Sequence, residues 1–211
     1  MLLANNLKFV RDNKTIFQNI NISAASGKII FVKGRNGSGK TTLLKTLLNI
    51  LTPFEGEIFW MGKKTKNNLF KLYSSTTLIL DKPTSTREIT LLENINFWKK
   101  ISLSTIVNEG VINLLKTLDI YNYINKEVMY LSQGEVKKLE LARLIIEQKK
   151  LWILDEPYNG LDKNTISLIN DTFIDHTANG GIIIFSSHFE PDIRNLEIID
   201  LPTLIIHETR H

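Results

Sequence analysis

The sequence predicts an α/β fold: a core of alternating strands and helices, preceded by a short antiparallel β portion and interrupted by a helical insertion. Three observations predict it. A continuous apolar run, Lys28 to Lys33, passes directly into a glycine-rich loop and then into apolar residues at helical spacing. From Thr90 to about Ile146 strand signals give way to consecutive helical patterns. After that stretch, strand and helix alternate again.

Leu7 to Val10 and Thr15 to Ile22 read as two short strands joined by a hairpin turn at Asp12-Asn13. The run Lys28 to Lys33, bounded by glycines, has the continuous hydrophobicity of a strand buried on both faces. Thr41 to Leu51 is the helix that follows, with apolar residues at 43, 44, 47, 48 and 51; Pro53 ends it, and Gly56 to Trp60 begins another short strand. Helical segments are expected over Leu91 to Ile101, Ile106 to Leu118 and Gly134 to Ile146. A strand at Leu151 to Leu154, a helix from Asn164 to about His176 and a strand at Gly181 to Phe185 restore the alternation. Leu196 to Ile206 is expected to supply a closing strand or two, with Pro202 interrupting. The chain is thus expected to form a single domain, with residues 1–82 and 148–211 as the core with its β portion and about 83–147 as the helical subdomain.

Composition narrows the functions available. With 211 residues, 43% hydrophobic and 23% charged, the chain suits one α/β domain and excludes a disordered or fibrous protein. No apolar run reaches the roughly 18 residues of a membrane span. The opening Met1-Leu2-Leu3-Ala4-Asn5-Asn6 has neither the basic start nor the apolar stretch of a signal peptide. The absence of cysteine excludes disulfides and thiolate metal sites and fits a reducing compartment. The net charge of +4 is mild and its lysines are scattered, so no nucleic-acid partner is expected.

Gly34-Arg35-Asn36-Gly37-Ser38-Gly39-Lys40-Thr41 fits the phosphate-loop pattern G-x-x-x-x-G-K-[ST], and it stands between a strand and an amphipathic helix as that pattern requires. Glycines let backbone N–H groups wrap phosphates, while the helix offers its positive end. Lys40 is placed to reach the β- and γ-phosphates, Thr41 to ligate Mg²⁺, and Thr42 to complete the nucleotide-binding set. These residues mark the opening of a nucleotide-binding α/β unit with Mg²⁺ beside the phosphates. Leu151 to Leu154 ends in Asp155-Glu156, and ligand chemistry in parallel sheets lies at strand C-termini. Asp155 suits the metal and Glu156 suits polarising an attacking water. Ser132, followed three residues later by Glu135, is a helix-capping box. His188, after the strand ending at Phe185, reads by spacing alone as a structural residue.

Taken together these segments resemble the ABC-transporter ATPases. The phosphate loop, Leu131-Ser132-Gln133-Gly134-Glu135, Asp155-Glu156-Pro157, Asn159-Gly160-Leu161-Asp162 and His188 occur in the order of that family's Walker A, signature, Walker B, D-loop and switch-histidine motifs. The resemblance implies a P-loop NTPase core with an N-terminal antiparallel β subdomain and an inserted helical subdomain. It also implies a head-to-tail dimer of the chain with itself, in which Ser132 and Gly134 of one copy contact the γ-phosphate held by Lys40 of the other. His188 would hold the γ-phosphate and the attacking water, and Asp162 would link the two sites. The segments Leu92-Glu93-Asn94, Leu151 to Tyr158 and Leu161-Asp162-Lys163 look most like the ATP-binding subunit of the haem exporter in c-type cytochrome maturation. That likeness implies integral membrane partner subunits and a peripheral place on the cytoplasmic side of the inner membrane. A multidrug or other small-solute efflux cassette is the alternative; a soluble non-transport ATPase or a non-hydrolysing regulatory cassette is expected less.

The sequence departs from the family pattern at two places. Where the Q-loop glutamine is usual, this chain has Asp81-Lys82-Pro83. A lysine ammonium has no lone pair for a cation, so either Lys82 contacts the γ-phosphate or Asp81 takes the metal role, and hydrolysis is expected to be slowed by Lys82. The usual adenine-stacking aromatic is replaced by Arg11, whose guanidinium can stack on a base, with Phe9 or Phe17 as alternatives. Gln133 and Glu135 are milder variations.

Overall fold

A computed structural model of the chain describes residues 1–188, 190–201 and 206–207, the last two as backbone. Strands β1 (Leu2–Arg11) and β2 (Lys14–Ala24) form an antiparallel hairpin. Its two-residue turn has both Asp12 and Asn13 at positive φ (50° and 57°), the geometry that matches the twist of paired strands and that short polar side chains tolerate. Both strands are longer than the sequence alone suggests. The pairing shifts register between Ala4 and Leu7, with Asn6 at φ 49°, so the burial alternation breaks in mid-strand and resumes. Strand β4 (Glu55–Trp60) pairs with β1, and β5 (Lys63–Lys64) with β4. β10 (Ile206–His207) returns to the free edge of β2. Pro202, expected to interrupt the closing strands, lies outside the described residues.

The second sheet is parallel, in the order β6-β7-β8-β3-β9, built from β3 (Ile29–Lys33), β6 (Thr76–Ile79), β7 (Leu151–Asp155), β8 (Ile182–Ser186) and β9 (Leu196–Asp200). Helix α1 (Lys40–Leu47) follows β3 and is four residues shorter at its C-terminus than expected. Asn49 turns left-handed at φ 57° and stops it, while Leu48 stays buried and Leu51 packs against the same core, which is why the periodic pattern ran on. The short α2 (Leu69–Ser74) leads into β6. Helices α3 (Leu91–Ser102), α4 (Asn108–Thr117) and α5 (Gln133–Ile146) lie between β6 and β7 in the chain, and α6 (Lys163–Ala178) between β7 and β8.

Three apolar clusters hold these layers. Leu43, Leu44 and Leu47 of α1 are buried with Leu2 and Phe17 of the antiparallel sheet and with Ile30, Val32, Ile153 and Ile184 of the parallel one. The opposite face of the parallel sheet buries Phe31, Trp152 and Phe185 against Leu141 and Leu144 of α5 and Phe173 of α6. Alternate residues of β3 thus serve both clusters, which explains its unbroken apolar run. Leu139, Ala142 and Ile146 of α5 close a third cluster with Leu91, Ile95, Trp98 and Leu115. Helix α5 therefore belongs to two cores at once.

At the N-terminal edge of β7 the rings of Trp152 and His176 stack, with centroids 3.5 Å apart and planes 6° from parallel. Gly181 permits this, since a Cβ there would come within 2.2 Å of the imidazole. Burial pushes His176 down to about 4 from an ordinary 6.5. Unfolding therefore takes up a proton between those values, and the stability this neutral ring contributes is full above about pH 6.5 and lost as pH falls toward 4. Thermal melts of His176→Phe should accordingly decline less steeply between pH 6.5 and 4.5 than those of the parent chain.

Candidate nucleotide-binding and hydrolytic site

The C-terminal ends of β3, β7 and β8 come level because the strands are parallel and in register, Asp155 opposite Ser186 and Val32 opposite Ser186. The loop after β3 runs Gly34 to Gly39, and Gly37 and Gly39 have φ of 80° and 98°. Glycine is required at 39 for a second reason, because a Cβ there would lie 2.5 Å from Ile16 Cγ2 of β2. Buried within this loop, Ser38 Oγ has no hydrogen-bond partner among the described residues. Arg35, Asn36 and Gly37 face solvent at its rim, and Thr42 lies in the first turn of α1.

Lys40 opens α1 and is 7% exposed; its Nζ donates to Gly34 O at 2.9 Å and stands 3.6 Å from Glu156 Oε1. Thr41 Oγ1 donates to Asp155 Oδ2 at 2.6 Å, and Ser186 Oγ donates to Asp155 Oδ1 at 2.6 Å. One buried carboxylate thereby joins the first turn of α1 to two strand ends. Glu156 is left-handed at φ 50°, and its N–H donates to Ser186 O at 3.1 Å. That turn brings Glu156 Oε1 to 3.2 Å from His188 Nε2, while Glu156 Oε2 accepts from His188 N–H at 3.1 Å. The structure thus gathers Gly34, Lys40, Thr41, Asp155, Glu156 and His188, from three separate stretches of sequence, into one site.

Ser132 and Gly134 are elsewhere in the chain's own fold. Ser132 is the N-cap of α5, with the full capping box: its Oγ accepts from Glu135 N–H at 3.3 Å and its N–H donates to Glu135 Oε2 at 2.7 Å. Gly134 faces Gly160 O, and the signature segment lines a cleft of about 570 Å³ with Asp81, Lys82 and Asn159. Residues 34–42 do not line that cleft. Arg11, at the hairpin tip, lies over the Phe9 ring at 5.8 Å. The β2 residues against the loop at Gly39 are Ile16 and Phe17. Asp162 caps α6 by accepting from Thr165 N–H and Oγ1, both at 2.9 Å; those bonds, with Lys138 at 3.4 Å, pull its carboxyl down to about 2.

The donor set fits ATP with Mg²⁺. Lys40, the free Ser38 hydroxyl and the inward-turning glycine backbone suit phosphate oxygens. Among the described residues no three His, Asp or Glu side chains stand together to cage a metal. Thr41 and Asp155 alone would leave the remaining positions to phosphate and water, the pattern Mg²⁺ favours. Ser186 was not anticipated. Its signal was a hydroxyl at the end of a buried strand, which acquires meaning only once β7 and β8 are known to be neighbours.

The family model described as ABC transporter matches residues 17–159. The chain belongs to that family. The cytochrome c biogenesis ATP-binding export protein CcmA of Reclinomonas americana is 36% identical over 96% of this chain and 91% of its own length. The protein of the same name from Vibrio cholerae is 32% identical over 95% and 99%. Among solved structures, a putative ABC transporter ATP-binding protein from Pyrococcus furiosus superposes with a TM-score of 0.82 over 95% of this chain and 96% of that one, at 22% identity. A bacterial ABC transporter cassette solved as a dimer gives 0.80 over 96% and 95%, at 20% identity. The ABC ATPase resemblance read from the motifs, and its likeness to the cytochrome-maturation subunit, are both borne out, and the chain is an ATP-binding subunit whose ATPase activity is coupled to transport.

Removing the Ser186 hydroxyl takes one short hydrogen bond from a buried carboxylate, a contact worth about 1.5–3 kcal/mol. Ser186→Ala should therefore lower ATP turnover about tenfold or more in a steady-state phosphate-release assay.

Proposed function

We propose that this chain is the ATP-hydrolysing subunit of the haem exporter of c-type cytochrome biogenesis, working as a head-to-tail pair on separate membrane subunits. The observation that carries the reading is the site itself, Lys40, Thr41, Asp155, Glu156 and His188 joined by direct contacts, in a chain alike over nearly its whole length to CcmA. The cargo in this reading is haem or a molecule that haem delivery requires. No helix among the described residues is long and apolar enough to cross a membrane, and in this reading the path for that cargo is assigned to the separate membrane subunits. The subunit itself sits peripherally on the cytoplasmic face of the inner membrane.

ATP binds with its phosphates in the loop 34–39, where Lys40 exchanges its bond to Gly34 O for the β- and γ-phosphate oxygens. Thr41 and Asp155 would hold Mg²⁺, which would offset the charge of the β- and γ-phosphates. Glu156 accepts a hydrogen bond from the water that attacks the γ-phosphorus, and His188, 3.2 Å from the same carboxylate, steadies water and γ-phosphate. The new P–O bond forms as the bond to the bridging oxygen of ADP breaks, and the water's proton passes to phosphate. Arg11 is placed weakly, as the residue against adenine. Ser132 caps α5 and Gly134 lies against Gly160, away from the contacts that join Lys40, Thr41 and Asp155. In this reading their role is in trans: the free N–H groups at the start of α5 complete the γ-phosphate site of a second copy. The helical portion, about 83–147, carries that edge toward the partner as ATP closes the pair.

Three measurements test this. Lys40→Ala removes a charge-assisted contact and should weaken ATP binding at least tenfold; unaltered affinity would sink the phosphate assignment. Glu156→Gln should accumulate as an ATP-bound dimer on gel filtration with Mg²⁺, and monomer alone under those conditions would refute closure. Capture from membranes should recover integral subunits of cytochrome maturation, whereas general efflux permeases would favour the alternative cargo.

A further inference from the structure

Lys137 is the most unusual side chain outside the site just described. It lies on α5 five residues past the Ser132 cap, is only 8% exposed, and its Nζ has no hydrogen-bond partner among the described residues. An ammonium in that position forfeits hydration without a hydrogen bond in return, so it is poorly placed as a mere packing residue. The adjacent Lys138 behaves differently and reaches Asp162 at the surface.

The surroundings of Lys137 define what it awaits. Four carboxylates act on it, with Asp81 foremost and then Asp155, Glu140 and Glu156, and they oppose the burial that pushes its ammonium down. Three of the four are already engaged. Asp155 accepts from Thr41 and Ser186; Glu156 is held by His188 and Lys40; Glu140 accepts from Thr84 N–H, Thr84 Oγ1, Ser85 N–H and Arg143. Asp81 is exposed and lines the same cleft as Lys137. The loop that carries Asp81 is pinned to α5 just beyond it, where Glu140 holds Thr84 and Ser85. Asp81 is thus the carboxylate free to move onto the ammonium, and α5 holds both ends of the arrangement.

We propose that Lys137 is a positioning residue of the hydrolytic centre, the buried anchor on which the Asp81 carboxylate docks when ATP closes the site. In this arrangement Asp81 brings its loop toward Asp155 and Glu156, and Lys137 cancels the negative charge that this adds beside a triphosphate. The inference rests on the ATPase reading above.

The test is amide hydrogen exchange across residues 80–87 in the intact chain carrying Glu156→Gln, with and without ATP and Mg²⁺. ATP should slow exchange there. Lys137→Met and Asp81→Asn should each remove at least fivefold of that slowing, and the double variant should lose no more than the worse single. Lys137→Arg should restore most of it, and ATP affinity should stay within threefold throughout. Methionine fills the same slot without charge, so melting at or above the parent temperature is expected and separates docking from folding. A parent loop indifferent to ATP, full slowing in Lys137→Met, or losses that multiply in the double variant would each overturn the proposal. Failure of the parent to bind ATP would overturn the ATPase reading, and the proposal with it.

Discussion

The buried carboxylate of Asp155 sets the geometry around which the site is built. At 3% exposure it cannot rely on water, and an unpaired carboxylate in such a place costs several kcal/mol. It finds two hydroxyl donors on two different elements, Thr41 at the start of α1 and Ser186 at the end of β8. Neither donor can be supplied unless β7 and β8 run parallel in register and α1 starts directly above them. The requirement of one side chain thereby fixes the distance from the loop Gly34–Gly39 to the strand ends.

The next residue uses that fixed frame. A strand leaving a sheet ordinarily carries its following side chain out to solvent. Glu156 instead takes a left-handed turn, a conformation that costs a non-glycine residue of order 1–3 kcal/mol. Its amide is held by both the carbonyl and the hydroxyl of Ser186. Ser186 therefore does two things: it satisfies Asp155 and it pins the strained turn. The result is a carboxylate folded back between Lys40 and His188 rather than turned out to solvent.

What could be read beforehand follows from how the information is distributed. The loop Gly34 to Thr41 and the strand ending Asp155-Glu156 are contiguous codes, each complete within eight residues, and both were legible. β6 was not, because Thr76-Thr77-Leu78-Ile79 is four residues of mixed polarity whose strand state comes from pairing with β7. The start of β1 was missed for a related reason, since the register shift near Asn6 breaks the alternation that a strand should show. The apolar spacing overstates the length of helix α1, because Leu48 and Leu51 satisfy the core without being helical. Lys137 carries no local signal at all. In Lys137-Lys138 only the rotation of α5 decides which ammonium is buried and which meets Asp162.

That rotation gives α5 a mechanical meaning. Its Leu141 and Leu144 are locked against the parallel sheet, while Leu139, Ala142 and Ile146 are locked against the helical cluster. Its first turn carries Ser132, its middle holds Glu140 on Thr84 and Ser85, and Arg143 ties Glu147 at 2.7 Å and Thr84 at 2.7 Å. A close-packed helix fixed on two faces does not bend to absorb a local push; it shifts as a unit. A displacement of the Ser132 end is therefore carried to Thr84 and Ser85, in the loop that follows Asp81, through side chains that are already in contact. The Ser132 cap and the loop at Thr84 and Ser85 need no long pathway to move together in this fold, because one helix carries the first and grips the second.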